Sequence, residues 1–198
     1  METTDNFRKH TSKNPLKTIF LSIYYKTFVF ELKKHAIDSV LDVGCGEGFI
    51  LNKLKEEGIG KNWEGIDYSK TAVEIGKKLH PKLSLKQGSV YESGFKDNSF
   101  DLVVCTEVLE HLEDPKKALK EVMRISKKYV LLSVPNEPLF LLSNFTQWGK
   151  NIGHINHWTF WGFERFIREN SGVNFKILSK KYPFPWTMLL LEKLDMAV

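Results

Sequence analysis

Apolar and polar positions alternate along the chain in blocks that predict strands and helices in turn. Short apolar runs are typical of buried strands, and segments with apolar residues every three or four positions are typical of helices. The predicted strands are 39–43, 63–67, 83–87, 100–105, 129–134, 174–179 and 188–193, and the predicted helices are 15–35, 49–57, 69–79, 115–127 and 161–169. This alternation indicates an α/β fold with a doubly wound, Rossmann-like and mostly parallel sheet.

The end of the pattern departs from this rhythm in two places. The last two predicted strands are joined by Lys181–Trp186, a turn too short for a crossover helix, so they must pair antiparallel. Before them, the segment 135–160 carries prolines, glycines and aromatic residues, and a connection of this length is uncommon without a function. We expect it to form a lid. We see no domain boundary and predict one domain over 1–198.

The N-terminal residues 1–36 are predicted to form a helical cap on this domain. Pro15 suits the first turn of a helix, and a stripe of apolar residues predicts which face docks. The stripe consists of Leu16, Ile19, Phe20, Ile23 and Phe30. Two lysines interrupt this apolar segment, which is too short and too charged to span a bilayer, and no signal peptide precedes it.

Composition narrows the class of protein without naming a partner. With 198 residues, 42% of them hydrophobic and 27% charged, the chain is long enough to bury a core and is not disordered. Cys45 and Cys105 lie in apolar runs and cannot form a disulfide framework, which favours a reduced, cytoplasmic setting. The net charge of +5 permits an acidic substrate, a nucleic acid or an anionic membrane surface, and requires none of them.

The most informative segment is the glycine-rich turn that follows the first strand, Val40–Gly48. Glycines at such a turn let the backbone approach a ligand beyond the carboxyl end of a strand. Asp67 ends the next strand, where a carboxylate can accept hydrogen bonds from both hydroxyls of a ribose. Dinucleotide binders need a third glycine where this chain has Phe49, which disfavours a dinucleotide and leaves S-adenosylmethionine as the alternative.

Four motifs, taken together, resemble those of the class I S-adenosylmethionine-dependent methyltransferases, and the resemblance covers nearly the whole chain. They are the glycine turn Leu41–Gly48, the ribose acid in Gly65–Ser69, the turn and strand Phe95–Val104, and the segment Glu107–Leu112. The resemblance implies a seven-stranded sheet whose last strand is antiparallel. It also implies a set of cofactor-binding residues: Asp42, Gly44, Cys45, Gly46, Asp67, Tyr68, Ser89, Val90 and Thr106.

One position departs from the family pattern. The family usually has an acidic residue after the third strand, which holds the adenine amino group, and this chain has Ser89 there. A serine hydroxyl can accept one hydrogen bond but carries no charge. The departure bears on the affinity for the cofactor and leaves its identity unchanged.

Titratable residues follow the fourth and fifth strands. Glu107, Glu110 and His111 share one face if their segment is helical, and two carboxylates with an imidazole are plausible ligands for a divalent ion. Together with His154 they resemble two metal-assisted branches of the family, the O-methyltransferases of ubiquinone biosynthesis and the 2′-O-methyltransferases of small-RNA 3′ ends. Many family members without a metal also carry Glu-His here, so the same residues are open to a supporting role.

His154 and His157 are the candidate catalytic residues in the long segment. His157 is open to two interpretations, a general base or a histidine bonded to backbone. The leading function is methyl transfer to a small, partly hydrophobic acceptor, since the fold uses nearly the whole chain and the remaining segments are aromatic. The alternatives are an RNA 2′-O-methyltransferase, although nucleic acid is disfavoured, and a non-catalytic cofactor-binding subunit. The aromatic first helix also suits transient contact with a membrane.

Overall fold

The fold is built around one sheet of seven strands. The computed structural model describes residues 4–137 and 153–194. The strand order is β3-β2-β1-β4-β5-β7-β6, in which β7 is antiparallel to β5 and β6 and the other pairs are parallel. The strands are β1 (Ser39–Val43), β2 (Asn62–Asp67), β3 (Ser84–Gln87), β4 (Phe100–Thr106), β5 (Ser126–Pro135), β6 (Phe175–Lys181) and β7 (Trp186–Lys193). The predicted sheet, including the antiparallel terminal pair, is confirmed.

Helices cover both faces of this sheet, as the doubly wound pattern predicts. They are α1 (Asp5–His10), α2 (Pro15–Leu32), α3 (Phe49–Glu56), α4 (Lys70–Leu79), α5 (Pro115–Ile125) and α6 (Phe160–Asn170), with a short 3₁₀ helix at Leu109–His111. Side chains of α2, α3 and α4 pack into the core on one face of the sheet, and those of α5 and α6 into the core on the other. Ser69 and Asp114 are the N-caps of α4 and α5, and each side chain accepts a hydrogen bond from a backbone N–H in the first turn of its helix.

The docking face predicted for α2 is wrong. The residues that pack against the sheet are Leu21, Tyr24, Phe28, Val29 and Leu32, whereas Leu16, Ile19, Ile23 and Phe30 of the predicted stripe are exposed. The helix is apolar on nearly all sides, so periodicity could not choose between its faces. The choice follows from long-range contacts, because the Tyr24 hydroxyl lies 2.7 Å from Ser133 Oγ and its ring packs on Trp186.

Parallel pairing places the carboxyl ends of β1, β2, β4 and β5 side by side, along the edge of the sheet that runs across the strand ends. The turn between β6 and β7 reaches the same edge, because Trp186 at the start of β7 pairs with Pro135 at the end of β5. The middle of the predicted lid, 138–152, lies outside the described residues, so the lid stays a prediction. Within the described ranges, no helix is long and apolar enough to cross a membrane.

Candidate active site

The glycine-rich turn after β1 packs closely against the segment after β4. The N–H groups of Gly44 and Cys45 both donate to the Ile66 carbonyl, at 2.8 and 3.0 Å, which ties the turn to β2. Gly44 has a φ of +78°, and a Cβ there would lie 2.3 Å from Val108 Cγ2. Only glycine combines this left-handed backbone with this close approach. The turn therefore lies directly beside the acidic residues that flank Val108.

Asp67 joins the turn to the end of β2. Its Oδ2 accepts from the N–H of Gly46 and its Oδ1 from the N–H of Ser69, each at 2.8 Å. These bonds fix the carboxylate in place and leave it the acceptor capacity for further donors. Burial raises the pKa of Asp67 in spite of the two backbone donors. A ribose with two hydroxyls fits such a fixed, half-buried acceptor.

Asp42 lies below the turn, inside β1, and is buried. Burial raises its pKa to about 8, and the nearby Asp67 carboxylate adds to this effect. Without a cation beside it, Asp42 is therefore mostly protonated at neutral pH. Cys45 and Thr106 are also buried at this edge.

The other predicted cofactor-binding residues lie after β2 and β3. Tyr68 follows Asp67 and is largely exposed, with its carbonyl accepting from Gln87 Nε2 at 3.1 Å. Ser89 Oγ accepts from the N–H of Tyr91 at 3.2 Å, which orders the turn after β3. Val90 packs partly against the core. Both segments stand at the edge of the sheet where the glycine turn lies.

The sequence predicts a helical cap over 1–36 but no separate helix before Pro15, and so it missed α1, which covers the glycine turn. The buried Glu47 carboxylate, within the turn, accepts hydrogen bonds from the Thr4 hydroxyl and the Asn6 amide. Lys9 forms an ion pair with Glu107 at 3.1 Å, so α1 bridges the segments after β1 and β4. A signal was present in the sequence, because Thr4 before Asp5 is a good helix N-cap, but the segment is short and polar.

Aromatic packing holds the other end of α1. The His10 ring stacks on Phe49 with centroids 4.6 Å apart, and His10 Nδ1 lies 2.6 Å from the Tyr25 hydroxyl. Burial lowers the pKa of His10 to about 3, so this histidine is neutral at physiological pH. The helix is thus held by polar contacts to the turn and by stacking on α3.

Three of the four predicted metal ligands come together after β4. Glu110, His111 and His154 each place a ligand atom within 4.8 Å of the others. Both oxygens of Glu110 are buried without a hydrogen-bond partner among the described residues, and burial raises its pKa well above the ordinary range. Glu107 is not in this group, since its carboxylate pairs with Lys9. The segment is a 3₁₀ turn at Leu109–His111 rather than an α-helix.

The residues after the undescribed segment dock onto this turn. The N–H groups of Ile155 and Asn156 donate to the Glu110 carbonyl, at 2.9 and 3.0 Å, and His111 Nδ1 lies 3.1 Å from the Gly153 carbonyl oxygen. The Asn156 amide donates to the carbonyls of Leu109 and Leu112. These bonds place the two candidate catalytic histidines beside β4.

Glu137, which sequence reasoning did not single out, connects those two histidines. Its Oε1 lies 3.0 Å from His154 Nδ1 and 3.1 Å from His157 Nδ1. The His154 side chain is nearly buried, whereas the His157 side chain is half exposed. A buried carboxylate on Nδ1 orients an imidazole and favours the tautomer whose Nε2 accepts a proton. His157 also lines an open cleft of about 550 Å³, together with Ile155, Trp158 and Phe166.

Comparison with known proteins assigns the central part of the chain to one family. Residues 41–133 match the family described as "Methyltransferase domain". The mitochondrial ubiquinone biosynthesis O-methyltransferase of Schizosaccharomyces pombe is 31% identical over 146 residues, which cover 69% of this chain and 52% of that protein. The chain therefore spans about half the length of this curated relative.

Solved structures share the fold at low sequence identity. The PH0226 protein of Pyrococcus horikoshii OT3 has a TM-score of 0.77 at 15% identity, covering 98% of this chain and 100% of that one. Magnesium protoporphyrin IX methyltransferase of Synechocystis PCC 6803, solved with bound SAH, has a TM-score of 0.73 at 16% identity, covering 94% and 92%. The glycine turn, the fixed acid at the end of β2 and the family match over 41–133 lead to one conclusion: this chain contains a class I S-adenosylmethionine-dependent methyltransferase domain.

Proposed function

We propose that this chain transfers a methyl group from S-adenosylmethionine to a hydroxyl of a small, partly hydrophobic acceptor. The observation that carries the proposal is the Glu137–His154 pair. The segment after β4 connects this pair to the glycine turn, because Val108 packs on Gly44 and the Glu110 carbonyl accepts from the residues that follow His154. S-adenosylmethionine supplies an electrophilic methyl group on a sulfonium. The protein must align the acceptor with that group, exclude water and remove a proton.

The cofactor site in this proposal is the glycine turn with its neighbours. Asp67 would accept from the ribose hydroxyls, and the amino-acid end would lie at the glycine turn, where its ammonium would ionise Asp42. Ser89 and Val90 adjoin the base, and Tyr68, Cys45 and Thr106 complete the surroundings. The support is the fixed Asp67 carboxylate and the close backbone approach at Gly44.

His154 is the proton acceptor in this proposal. With Nδ1 hydrogen-bonded to Glu137, its Nε2 would take the proton of the acceptor hydroxyl as that oxygen forms its bond to the methyl carbon, while the methyl–sulfur bond breaks and S-adenosylhomocysteine leaves. The Glu137 carboxylate then stabilises the imidazolium. Removing the proton in this way contributes typically about 10²–10⁴-fold to such reactions.

The acceptor class rests on the cleft that His157 lines. His154 and His157 both contact Glu137 Oε1, so the cleft that His157 lines is adjacent to the proposed proton acceptor, His154. Its walls combine Trp158, Phe166 and Ile155 with the charged residues Glu113, Asp114 and Lys116, which suits a molecule with an aromatic part and a polar part. The name of the ubiquinone-biosynthesis relative points in the same direction.

A metal-assisted form of the reaction is the second candidate. The Glu110 carboxyl is buried beside two imidazoles and has no hydrogen-bond partner among residues 4–137 and 153–194, which fits a transition metal better than Mg²⁺, since Mg²⁺ prefers oxygen ligands. Glu110, His111 and His154 would hold the ion, and it would lower the pKa of the acceptor hydroxyl. Direct titration of the full chain with Mn²⁺ tests this form. Binding lost in His111→Ala supports it, and absence of binding in the wild type excludes it.

The central experiment combines the protein with methyl-labelled S-adenosylmethionine and a cell extract separated into small-molecule, lipid, RNA and protein fractions. Label in a small-molecule or lipid fraction, lost in His154→Ala and kept in His35→Ala, supports the proposal. His35 is a suitable control because it packs on Tyr129, near the start of β5 and away from the site. Label in RNA would favour the 2′-O-methyltransferase alternative, and label in no fraction the non-catalytic subunit.

A further inference from the structure

The exposed face of α2 joins aromatic residues from two other elements to form an apolar patch. Ile19 and Ile23 are 53% and 45% exposed, and Leu16 and Phe30 extend the same face. Phe20 of α2 packs on Phe184 of the β6–β7 turn, with ring centroids 5.3 Å apart. From the same turn, Tyr182 contacts Phe160, which in turn contacts Trp161. We define the apolar patch as Leu16, Ile19, Ile23, Phe30, Tyr182, Phe184 and Trp161.

Exposed apolar residues linked across three elements in this way mark an interaction site, since single exposed apolar residues are common but groups of large ones are not. Trp161 is 73% exposed. A tryptophan with an apolar body and a polar N–H is typical of residues that enter the boundary between water and a bilayer. The patch borders the edge of the sheet that carries the candidate site, because the β6–β7 turn lies there.

The charges around the patch distinguish between its possible occupants. Residues 12–34 include five lysines and one acidic residue. That acidic residue, Glu31, is buried and pairs with Lys34 and Lys181. Lys33 also pairs with Glu57, but lysines still outnumber carboxylates around α2, so its surface is apolar and cationic. A second copy of the chain would bring like charges together, whereas anionic lipid headgroups would complement them.

We propose that the apolar patch and its lysines bind the surface of an anionic lipid bilayer, with α2 lying along the interface and the candidate site at the membrane. Apolar side chains at 16, 19, 23, 161 and 184 enter the headgroup boundary, and Lys26 contacts anionic headgroups. Binding to lipid needs no methyl transfer. The proposal therefore goes beyond the proposed function and can fail while that function stands.

The test is co-sedimentation of the full chain with vesicles of phosphatidylcholine alone and of phosphatidylcholine with phosphatidylglycerol. We expect binding to the mixed vesicles that weakens with salt and falls by roughly tenfold or more in the double variant Ile19→Asp with Ile23→Asp. The matched control is Leu79→Asp, since Leu79 is an equally exposed apolar residue at the end of α4, away from the patch. All substituted positions are exposed, and unchanged thermal unfolding verifies that each variant is folded.

Three results would overturn the proposal. They are a wild-type protein that stays in the supernatant, equal loss of binding in the patch variant and the Leu79→Asp control, and a wild-type dimer that the patch variant converts to monomer without any vesicle binding. The last result would assign the patch to an interface between copies. A vesicle-dependent blue shift of tryptophan fluorescence that disappears in Trp161→Phe would add support from an independent residue.

Discussion

The two sides of the candidate site are built in different ways. The cofactor side uses backbone: a turn of left-handed glycines and a carboxylate fixed by two N–H groups, one from Ser69 and one from Gly46 in the turn itself. The acceptor side uses side chains distant in sequence, such as Lys9 with Glu107 and Asn156 with Leu109. Backbone geometry leaves a spacing pattern in the sequence, and distant side-chain pairing does not. The difference explains which half of the site can be recognised from the sequence.

The largest expected effect is on the cofactor side. Asp67→Ala removes the acceptor for two ribose hydroxyls and leaves the N–H groups of Gly46 and Ser69 without their partner. We expect the affinity for S-adenosylmethionine to fall by at least roughly a hundredfold in titration calorimetry. Glu64→Ala is the matched control, because Glu64 is an acid on the same strand that pairs with the exposed Lys86. Equal affinities in the two variants would mean that the fixed carboxylate is not the ribose site.

The next effect concerns the buried acid below the glycine turn. The folded protein holds the proton of Asp42 up to a pKa of about 8, whereas the unfolded chain releases it near pH 4. Between these values the folded state binds more protons, so this group lowers the free energy of unfolding as pH rises. Asp42→Asn removes that dependence, so between pH 5 and pH 7.5 the free energy of urea unfolding should fall by about 3 kcal/mol less in the variant than in the wild type. Asp38 is exposed, so Asp38→Asn should keep the wild-type change of unfolding free energy with pH. The same change in Asp42→Asn would refute the burial argument.

On the acceptor side, Glu137→Gln tests the orientation of His154. We expect kcat to fall by roughly 10–100-fold with S-adenosylmethionine affinity unchanged, since a neutral amide holds the ring but stabilises an imidazolium poorly. Glu169→Gln, on the exposed face of α6, serves as the control. A loss of cofactor affinity equal to the loss of kcat would show that the two sides of the site are not separable.

The smallest effect tests the bridge between the two sides. Glu47→Gln weakens the contacts with Thr4 and Asn6, and we expect faster amide hydrogen exchange in residues 5–10 with a loss of about 1 kcal/mol of protection. Glu56→Gln, on the adjacent helix α3, is the control. Unchanged exchange in Glu47→Gln would mean that stacking of His10 on Phe49 alone holds α1.

Much of the fold could be predicted because it depends on local patterns. The strands and helices follow from apolar periodicity, and the antiparallel terminal pair from the length of one turn. The buried face of α2 was predicted wrongly because the helix is apolar all round. The face that is buried is the one that carries Tyr24, whose hydroxyl hydrogen-bonds Ser133, 109 residues away. Glu137 and Lys9 escaped notice for the same reason, since their partners lie far along the chain.

The two outer strands have a consequence for how the protein behaves at high concentration. A sheet edge offers unpaired backbone groups that can recruit a strand from another molecule and start aggregation. One edge strand here, β3, has only four residues. The other, β6, carries exposed Lys176, Lys180 and Lys181, the last two held in ion pairs with Glu164 and Glu31. Both edges are therefore poor templates for strand addition, which protects an open sheet with an apolar interior from edge-to-edge polymerisation.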